Sequence, residues 1–410
     1  MAVPKLRFKE FDGDLTESKL VELTLWASGG TPAKDIPEYW GDDIPLISGA
    51  SMHTNQLYES DVKITRLGLQ KGSKLAPKDS ILILVRGSML FNKIPMGITL
   101  GDVAFNQDVK CIRPKQELAP QFLFQWLHAK ENTIQNKVTA TGIGAGKLDT
   151  ADLQNLKLYK PSSEEQTKIA SFLSGVDEKI SQLTLKHALL SQYKQGMMQK
   201  LFNQQIRFKA DDGSEFGEWE ETTLGALYNI GSSKRVLQED WKSKGIPFLR
   251  TREIISLIDK TNFSSPIFIA EKLYDELTNK YGAIKENDIL VSGVGTVGKA
   301  YIVKASDKFY FKDGNVIWLR SKELNNSRFI YYFFQSHIME NYFVSNKSIT
   351  TVDTFTIDQA KKVKLLNPSI EEQTKIANFL SIIDQKIEVV AQQIEQAKTW
   401  KKGLLQQMFV

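Results

Sequence analysis

The chain has 410 residues, of which 41% are hydrophobic and 25% are charged, and its formal net charge is +5. This length allows two to three buried cores, and the mild positive charge permits attraction to nucleic acid without requiring it. One cysteine and four scattered histidines exclude a disulfide framework and a cysteine- or histidine-rich metal site. The absence of a long apolar run or a signal peptide predicts a cytoplasmic protein with no membrane contact.

Residues 1–160 predict a mixed α/β domain. Residues 80–85 and 108–112 are short segments rich in apolar residues and predict buried strands. Residues 122–127 predict a helix whose aromatic side chains pack into the core, since consecutive bulky residues on one helix mostly face inward. Polar and basic loop residues offer hydrogen bonds to nucleic-acid bases and phosphates. The candidates for such contacts in this region are Lys34, Tyr39, Trp40, Arg86, Ser88, Asn92 and Lys93.

Residues 161–203 predict one long helix. Ser162 is expected to cap it, and Glu165 follows three residues later in the capping-box arrangement. Apolar residues then recur at alternating spacings of four and three, which is the period of a coiled coil. The positions of this stripe are Ile169, Leu173, Val176, Ile180, Leu183, His187, Leu190, Lys194, Met197 and Leu201.

Residues 204–367 predict a second mixed α/β domain, with strands at 288–291 and 315–319 and an aromatic helix at 329–334. Gly293-Val-Gly-Thr-Val-Gly298 has the spacing of a dinucleotide-binding loop. The residues after it predict a strand, so no helix N-terminus is available there for a pyrophosphate. The candidates for nucleic-acid contact in this region are Lys234, Arg235, Arg250, Arg252, Ser292, Thr296 and Lys299.

Residues 368–410 predict a second long helix that repeats the first. Pro161-Ser-Ser-Glu-Glu-Gln-Thr-Lys-Ile-Ala-Ser-Phe-Leu-Ser174 returns about 207 residues later as Pro368-Ser-Ile-Glu-Glu-Gln-Thr-Lys-Ile-Ala-Asn-Phe-Leu-Ser381. Arg7-Phe8-Lys9 likewise recurs as Arg207-Phe208-Lys209. The chain is therefore predicted to contain two tandem copies of one unit.

The two apolar stripes are expected to pack on each other, because each would otherwise form a large exposed apolar patch. A two-fold relation between the copies favours antiparallel helices, with the two domains at opposite ends of a rod on the order of 60 Å long. Lys194 and Lys401 occupy equivalent stripe positions and are expected to snorkel, or to mark a point where the helices splay. The predicted fold is α+β: two similar mixed α/β domains separated by two long antiparallel helices that form a coiled coil, with a pseudo-two-fold internal repeat.

Over nearly its whole length the chain resembles the specificity subunits of type I restriction–modification systems. The resemblance is carried by the Pro-x-x-Glu-Glu-Gln-x-x-Ile-Ala-x-Phe-Leu repeat, by the Arg-Phe-Lys opening of each half, by Gly29-Gly-Thr-Pro32 and by the long helices. The second half departs from this pattern, with Gly231-Ser-Ser-Lys-Arg235 where Gly-Gly-Thr-Pro would be expected. Residue roles in these loops therefore do not transfer from one half to the other.

The resemblance implies that residues 1–160 and 204–367 are target-recognition domains, each reading one half of a bipartite, asymmetric site in double-stranded DNA. Residues 161–203 and 368–410 would be conserved spacer helices that set the unread gap and dock two modification (methyltransferase) subunits. The chain itself would be non-catalytic and would hold no metal or cofactor; S-adenosylmethionine, ATP and Mg would act in the modification and restriction subunits. The spacer and interface residues implied are Glu165, Gln166, Ile169, Phe172 and Leu173, with Glu372, Gln373, Ile376, Phe379 and Leu380.

Two other classes of function remain open on the sequence. An interaction scaffold would place two protein-binding domains on a coiled coil without touching DNA, and the mild charge and lack of a recognisable helix-turn-helix are compatible with it. A stand-alone enzyme has only the loop Gly293–Gly298 in its favour. No Asn/Asp-Pro-Pro-aromatic tetrapeptide of an amino-methyltransferase occurs in the chain.

Overall fold

The computed structural model describes residues 3–142, 144–322, 325–346 and 353–409. Its contacts divide the chain into unit 1, Met1–Leu185 with Ala391–Val410, and unit 2, Lys186–Val390. Each unit combines one mixed α/β region with part of both long helices. Among the described residues, no helix has both the length and the apolar character needed to cross a membrane.

Unit 1 is built from short strands and helices around one large and one small hydrophobic cluster. The strands are β1 (Thr16–Lys19), β2 (Thr24–Ser28), β3 (Trp40–Ile47), β4 (Gln56–Leu57), β5 (Lys63–Ile64), β6 (Lys74–Ala76), β7 (Ile81–Leu84), β8 (Arg86–Gly87), β9 (Met96–Thr99), β10 (Val103–Phe105), β11 (Val109–Pro114), β12 (Thr139–Ala140), β13 (Gly146–Lys147) and β14 (Lys157–Lys160). The helices are α1 (Leu20–Leu23), α2 (Arg66–Gly72), α3 (Pro120–Ala129), α4 (Glu131–Gln135), α5 (Thr150–Gln154) and α6 (Ser163–Phe202), which continues into unit 2; 3₁₀ turns cover Pro37–Tyr39, Gly49–Ser51 and Ser88–Phe91.

The two largest sheets of unit 1 have the strand orders β2-β11-β7-β9-β4 and β5-β3-β10-β6 among the described residues. All four residues of β7 are buried, as the continuous apolar run at 81–85 predicts. β3 and β10 run parallel, with Ile47 opposite Phe105, so their carboxyl ends meet at one edge. The aromatic helix α3 lies in the core, because Phe122, Leu123 and Trp126 are all buried in one cluster with the strands.

Unit 2 repeats this arrangement. Its strands are β15 (Glu220–Thr223), β16 (Tyr228–Gly231), β17 (Ile246–Leu249), β18 (Ile267–Ile269), β19 (Ile289–Ser292), β20 (Ala300–Ile302), β21 (Tyr310–Phe311), β22 (Val316–Ser321) and β23 (Lys364–Asn367). Its helices are α7 (Leu224–Leu227), α8 (Thr251–Ile258), α9 (Glu271–Tyr281), α10 (Ser327–Gln335), α11 (His337–Ser345), α12 (Ile357–Lys362) and α13 (Ile370–Met408), which continues into unit 1; a 3₁₀ turn covers Gln238–Asp240.

The repeat is visible in the pairing of the strands. The order β16-β22-β19-β20 in unit 2 matches β2-β11-β7-β9 in unit 1, and β15 pairs with β23 as β1 pairs with β14. β17 and β21 are parallel, as β3 and β10 are, with Leu249 opposite Phe311. The prediction of two similar mixed α/β copies is therefore confirmed.

The long helices begin as the sequence predicts. The hydroxyls of Ser162 and Ser369 accept hydrogen bonds from the backbone N–H groups of Glu165 and Glu372, each 3.3 Å long. Every stripe position of α6, and every equivalent position 207 residues later in α13, is buried or half-buried, which is the burial that the period of 3.5 residues predicts. In unit 1 the two helix segments run in opposite directions, because Ile169 lies beside Met408 while Asp177 contacts Lys401.

The two lysines of the stripe differ from the prediction. In unit 1 the Nζ of Lys401 lies 2.6 Å and 2.8 Å from the two carboxylate oxygens of Asp177. In unit 2 the Nζ of Lys194 lies 2.7 Å from a carboxylate oxygen of Asp384. Snorkelling is unnecessary, because a largely buried ammonium is compensated by a carboxylate on the other helix. Since Lys194 and Asp177 repeat as Lys401 and Asp384, the duplication produces the same ion pair in each unit.

Candidate nucleic-acid interface

A groove of about 660 Å³ opens in unit 1 where β3 and β10 end. Because the two strands are parallel, Ser48 and Asn106 follow them at the same edge, and the Asn106 N–H donates to the carbonyl of Ile47 at 3.0 Å. The wall therefore offers hydroxyl, carboxamide and ammonium groups in one place, and these groups can bond to base edges and phosphates. We call these polar and aromatic lining residues the unit 1 edge: Thr31, Lys34, Trp40, Ser48, Asn106 and Gln107.

The Gly-Gly-Thr sequence at 29–31 forms one side of this groove. A Cβ at Gly29 would lie 2.1 Å from the carbonyl oxygen of Phe105, so only glycine allows the two backbones to approach this closely. The N–H of Gly30 donates to the same carbonyl at 3.0 Å, and the hydroxyl of Thr31 donates to the side-chain oxygen of Gln107 at 2.7 Å. The motif thus places Thr31 and Gln107 side by side.

The corresponding edge of unit 2 carries cations instead. The Lys312 N–H donates to the Leu249 carbonyl at 2.8 Å, as Asn106 donates to Ile47 in unit 1. The Lys234 N–H donates to the phenol oxygen of Tyr310 at 2.9 Å, and the hydroxyl of the preceding Ser233 donates to the carbonyl of Phe311, the last residue of β21, so Lys234 lies close to the end of this strand. The exposed side chain of Arg235 is next along the chain. We call the following residues the unit 2 edge: Lys234, Arg250, Arg252 and Lys312.

Arg250 and Arg252 share one carboxylate, that of Glu253, whose side chain is 2% exposed. Arg250 donates to it from Nη2 at 2.7 Å and from Nε at 3.0 Å, and Arg252 donates from Nη2 at 3.0 Å and from Nε at 3.1 Å. Burial by itself raises the pKa of Glu253, but the hydrogen bonds from the two arginines outweigh it and the pKa is lowered. One carboxylate facing two guanidinium groups leaves one positive charge in excess at this edge.

Four of the residues predicted to contact nucleic acid in the first half lie away from the groove, on strand β8, on the 3₁₀ turn after it and just beyond that turn. Arg86 is in β8, opposite Lys147 of β13, and the 3₁₀ turn Ser88–Phe91 follows it. The side chains of Arg86, Ser88, Asn92 and Lys93 are exposed, but none of them lines the groove. Of the other predicted residues, Lys34 and Trp40 line it, and Tyr39 immediately precedes Trp40 with a half-buried ring.

Ser292 requires a correction, because its side chain does not reach the surface. It is fully buried; its hydroxyl donates to the carbonyl of Thr296 at 2.5 Å and accepts from the N–H of Lys299 at 2.9 Å. Ser292 therefore closes the loop Gly293–Gly298 rather than contacting a ligand, whereas Thr296 and Lys299 are exposed. Strand β20 follows this loop, as predicted, so the loop has no helix N-terminus for a pyrophosphate.

The predicted interface residues of the spacer motif are mostly occupied within the chain. Arg7 donates to both carboxylate oxygens of Glu165 at 2.7 Å, and Arg207 donates to those of Glu372 at 2.7 and 3.1 Å. The carboxylates of Glu165 and Glu372 therefore accept from arginine side chains, whereas the predicted capping box would have them accept from the backbone N–H of the N-cap serine. Gln166 and Gln373 accept from the backbone N–H groups of Ala119 and Asn326, both at 2.9 Å. The remaining apolar members, Ile169, Leu173, Ile376 and Leu380, lie in the hydrophobic cores.

Buried side chains cannot themselves form a docking surface, so the motif holds each opening segment against its long helix. Phe172 and Phe379 are more accessible. Phe172 makes edge-to-face contacts with Phe8 and with Trp400, at centroid distances of 5.7 Å and 6.0 Å, and Phe379 contacts Phe208 at 5.6 Å. Trp400 is 54% exposed, and Tyr193, its counterpart in the repeat, is 51% exposed. The sequence reasoning missed these two rings, although both are aromatic at equivalent positions outside the stripe.

Other residues were also missed. Ser48, Asn106, Gln107 and Lys312 reach the two edges through the parallel pairing of β3 with β10 and of β17 with β21. Thr31 reaches the first edge because the backbone at Gly29 and Gly30 packs against the Phe105 carbonyl. The available signal was that polar residues directly follow apolar strands. Within the described parts of the chain, no group of three or more His, Cys, Asp or Glu side chains has the arrangement of a metal site.

Comparisons with known proteins identify the family of this chain. A family model described as the type I restriction modification DNA specificity domain matches twice, over residues 13–190 and 217–399. The chain belongs to the family of type I restriction–modification specificity subunits, which recognise the DNA target of these systems.

The similarity extends along the whole chain. The type I restriction enzyme MjaVIII specificity subunit of Methanocaldococcus jannaschii is 27% identical over 97% of this chain and 94% of its own length. The MjaIX specificity subunit of the same organism is 24% identical over 66% of this chain and 67% of its own length. The crystal structure of the type I restriction–modification S subunit from M. genitalium shares the fold, with a TM-score of 0.60 at 17% identity over 100% of this chain and 99% of that one.

Proposed function

We propose that the two units each read one half of a bipartite, asymmetric site in double-stranded DNA, using the unit 1 edge and the unit 2 edge. The observation that carries this proposal is that two neighbouring backbone positions, each directly after a strand of a parallel pair, recur in both units with different side chains. These positions are Ser48 and Asn106 in unit 1, and Arg250 and Lys312 in unit 2. A common scaffold with different hydrogen-bonding groups suits two different half-sites.

The long helices set the length of the unread gap. Each of α6 and α13 is one uninterrupted helix that passes from one unit into the other. The ion pairs Asp177–Lys401 and Lys194–Asp384 hold the two helices in register, consistent with an antiparallel coiled coil. A helix is stiff and its length rises by about 1.5 Å per residue, so it can act as a molecular ruler.

Two modification subunits dock on the aromatic residues of the helices. An identical partner at each unit requires an equivalent surface, and the exposed rings Trp400 and Tyr193 are equivalent in the repeat. Phe172, in contact with Trp400, and its counterpart Phe379 extend this surface. In this assembly the present chain is non-catalytic: methylation with S-adenosylmethionine belongs to the modification subunits, and ATP- and Mg-dependent steps belong to the restriction subunits.

The test uses the chain reconstituted with its modification subunits. Duplex pools with one half-site randomised and the other held constant are selected for binding to the complex, using wild type, Asn106→Ala and Arg250→Ala. Each variant is expected to alter the base preference in one half-site only, Asn106→Ala in the half-site read by unit 1 and Arg250→Ala in the other. Lys398→Ala, an exposed position on α13, is the matched control and should leave both preferences unchanged.

Equal losses on every DNA sequence would reassign both residues to phosphate contact and contradict base reading. The salt dependence of DNA binding distinguishes base reading from the scaffold alternative. A DNA-reading complex must bind specific duplex less tightly as the salt concentration rises, because phosphate contacts release counterions. Failure to bind duplex at any salt concentration would favour the protein-binding scaffold.

A further inference from the structure

We propose that Glu253 is a positioning residue for a guanine-reading Arg250, and that positions 250 and 253 determine base preference together. Their counterparts in unit 1 are Ser48 and Ser51. This inference rests on the proposed function, because it assumes that the unit 2 edge faces DNA bases. The base that Arg250 reads is then a guanine, and its recognition also depends on Glu253, a buried residue that does not itself contact DNA.

Glu253 holds Arg250 in three ways. Its carboxylate accepts two bonds from the guanidinium and a third, of 3.1 Å, from the Arg250 backbone N–H. Two parallel bonds fix the plane of the guanidinium, and Nη2 also donates to the backbone carbonyl of Ser265 at 3.3 Å. An arginine has five N–H donors, so the two on Nη1 remain for a ligand. The carboxylate itself is buried and cannot contact DNA. Arg252 donates to the same carboxylate and supplies the excess positive charge.

Unit 1 repeats the backbone part of this arrangement without the charges. The Ser48 N–H donates to the hydroxyl of Ser51 at 2.9 Å, at the start of the turn Gly49–Ser51. Both pairs directly follow a parallel strand, β3 in one unit and β17 in the other. The backbone bond is retained while the projecting side chain changes from a short hydroxyl to an oriented guanidinium. The two positions therefore change together without altering the scaffold.

Guanine is the base that fits an oriented guanidinium. Its major-groove edge presents two acceptors, O6 and N7, which arginine binds bidentately. A serine at the same position, as in unit 1, lacks the reach and the second donor. We therefore expect the half-site read by unit 2 to contain a guanine whose recognition depends on Glu253, and the position matched to Ser48 to lack that dependence.

The first experiment measures base preference in Glu253→Gln. The amide turns an N–H₂ group toward the arginine donors, so the guanidinium loses its fixed plane while Arg250 is retained. In selections from a duplex pool randomised in the second half-site, we expect the guanine preference to fall about tenfold. Replacing that guanine by 7-deazaguanine should weaken wild type and leave Glu253→Gln nearly unaffected. The preference in the first half-site is the internal control for folding.

The second experiment exchanges the residue pairs 250/253 and 48/51 between the units. It does not depend on a buried amide that faces the arginine donors. Arg250→Ser with Glu253→Ser keeps a hydroxyl acceptor for the backbone N–H, as in unit 1, and should lose the guanine preference while unit 1 still reads its half-site. Ser48→Arg with Ser51→Glu should create a guanine preference in the first half-site.

The inference is overturned if Glu253→Gln keeps the guanine preference that Arg250→Ala loses, or if the exchanged pairs leave both preferences as in wild type. Failure of the proposed function looks different. In that case Asn106→Ala and Arg250→Ala would fail to affect separate half-sites at all.

Discussion

At the level of single residues, Gly29 makes the most direct prediction about the unit 1 edge. A Cβ there would lie 2.1 Å from the Phe105 carbonyl and 2.4 Å from that of Asn106, both backbone atoms that cannot rotate away. Gly29→Ala is expected to cost about 1 to 3 kcal/mol of folding free energy and to weaken reading of the first half-site. Gly101→Ala is the matched control, because nothing lies within 4 Å of its added methyl group. Thermal unfolding and half-site selection measure the two effects; equal behaviour of the two variants would contradict the close approach.

Arg207 makes a second prediction at the same scale. Its partner Glu372 is fully buried and also accepts a 2.9 Å hydrogen bond from the indole N–H of Trp219. Arg207→Ala leaves that carboxylate without its charge partner, and the expected loss is about 3 to 5 kcal/mol. Lys209→Ala, which breaks the exposed pair with Glu215, should cost no more than about 1 kcal/mol. Urea unfolding compares the two; similar losses would mean that the Arg207 ion pair is no more than a surface contact.

At the level of elements, the duplication places the same contact between α6 and α13 in each unit, and this contact fixes how the two helices are aligned there. The Asp177 carboxylate in unit 1 also accepts from the side chain of Gln125, and the Asp384 carboxylate in unit 2 accepts from the hydroxyl of Tyr332. Each aspartate therefore joins its own α/β region to both long helices. The contact is repeated because all of its members lie at equivalent positions of the two copies.

A double-mutant cycle tests this register contact. We expect Asp177→Asn and Lys401→Met to be coupled by about 1 to 2 kcal/mol, because the pair is largely shielded from water. The exposed pair Lys398–Glu395, one turn apart on α13, should show a coupling of about 0.5 kcal/mol or less. Denaturant unfolding of the single and double variants measures both couplings. A coupling in the first cycle as small as in the second would show that the register depends on apolar packing alone.

At the level of the whole molecule, helix length should determine the gap between the half-sites. Inserting seven residues into both helices, between Asp177 and Lys194 in α6 and between Asp384 and Lys401 in α13, preserves both ion pairs and the stripe. The complex should then prefer a gap longer by about three base pairs, because seven residues add about 10 Å. A four-residue insertion in α6 alone, within 188–195, shifts the register and should abolish binding to the original site. Binding to a series of gap lengths measures this; an unchanged preference after the double insertion would contradict the ruler.

The duplication, the two long helices and the buried strands could be predicted from the sequence, because each depends on local periodicity or on a repeated string of residues. The ion pairs of Lys194 and Lys401 could not be predicted in the same way. Asp177 and Asp384 lie on the same helices as the lysines, but the partner of each lysine is on the other helix. Only the alignment of the two helices identifies it.

The sequence by itself determined the class of this protein, its division into two copies and the periodicity of its long helices. Only the tertiary structure decided which loop residues form the two edges, because the parallel pairing of β3 with β10 and of β17 with β21 joins residues that are far apart in the chain. The tertiary structure also separated Ser292, held inside a turn, from Arg250, held at the surface by a buried carboxylate. Hydrogen-bonding chemistry is visible in a sequence, whereas burial and the direction in which a side chain points depend on contacts between distant segments.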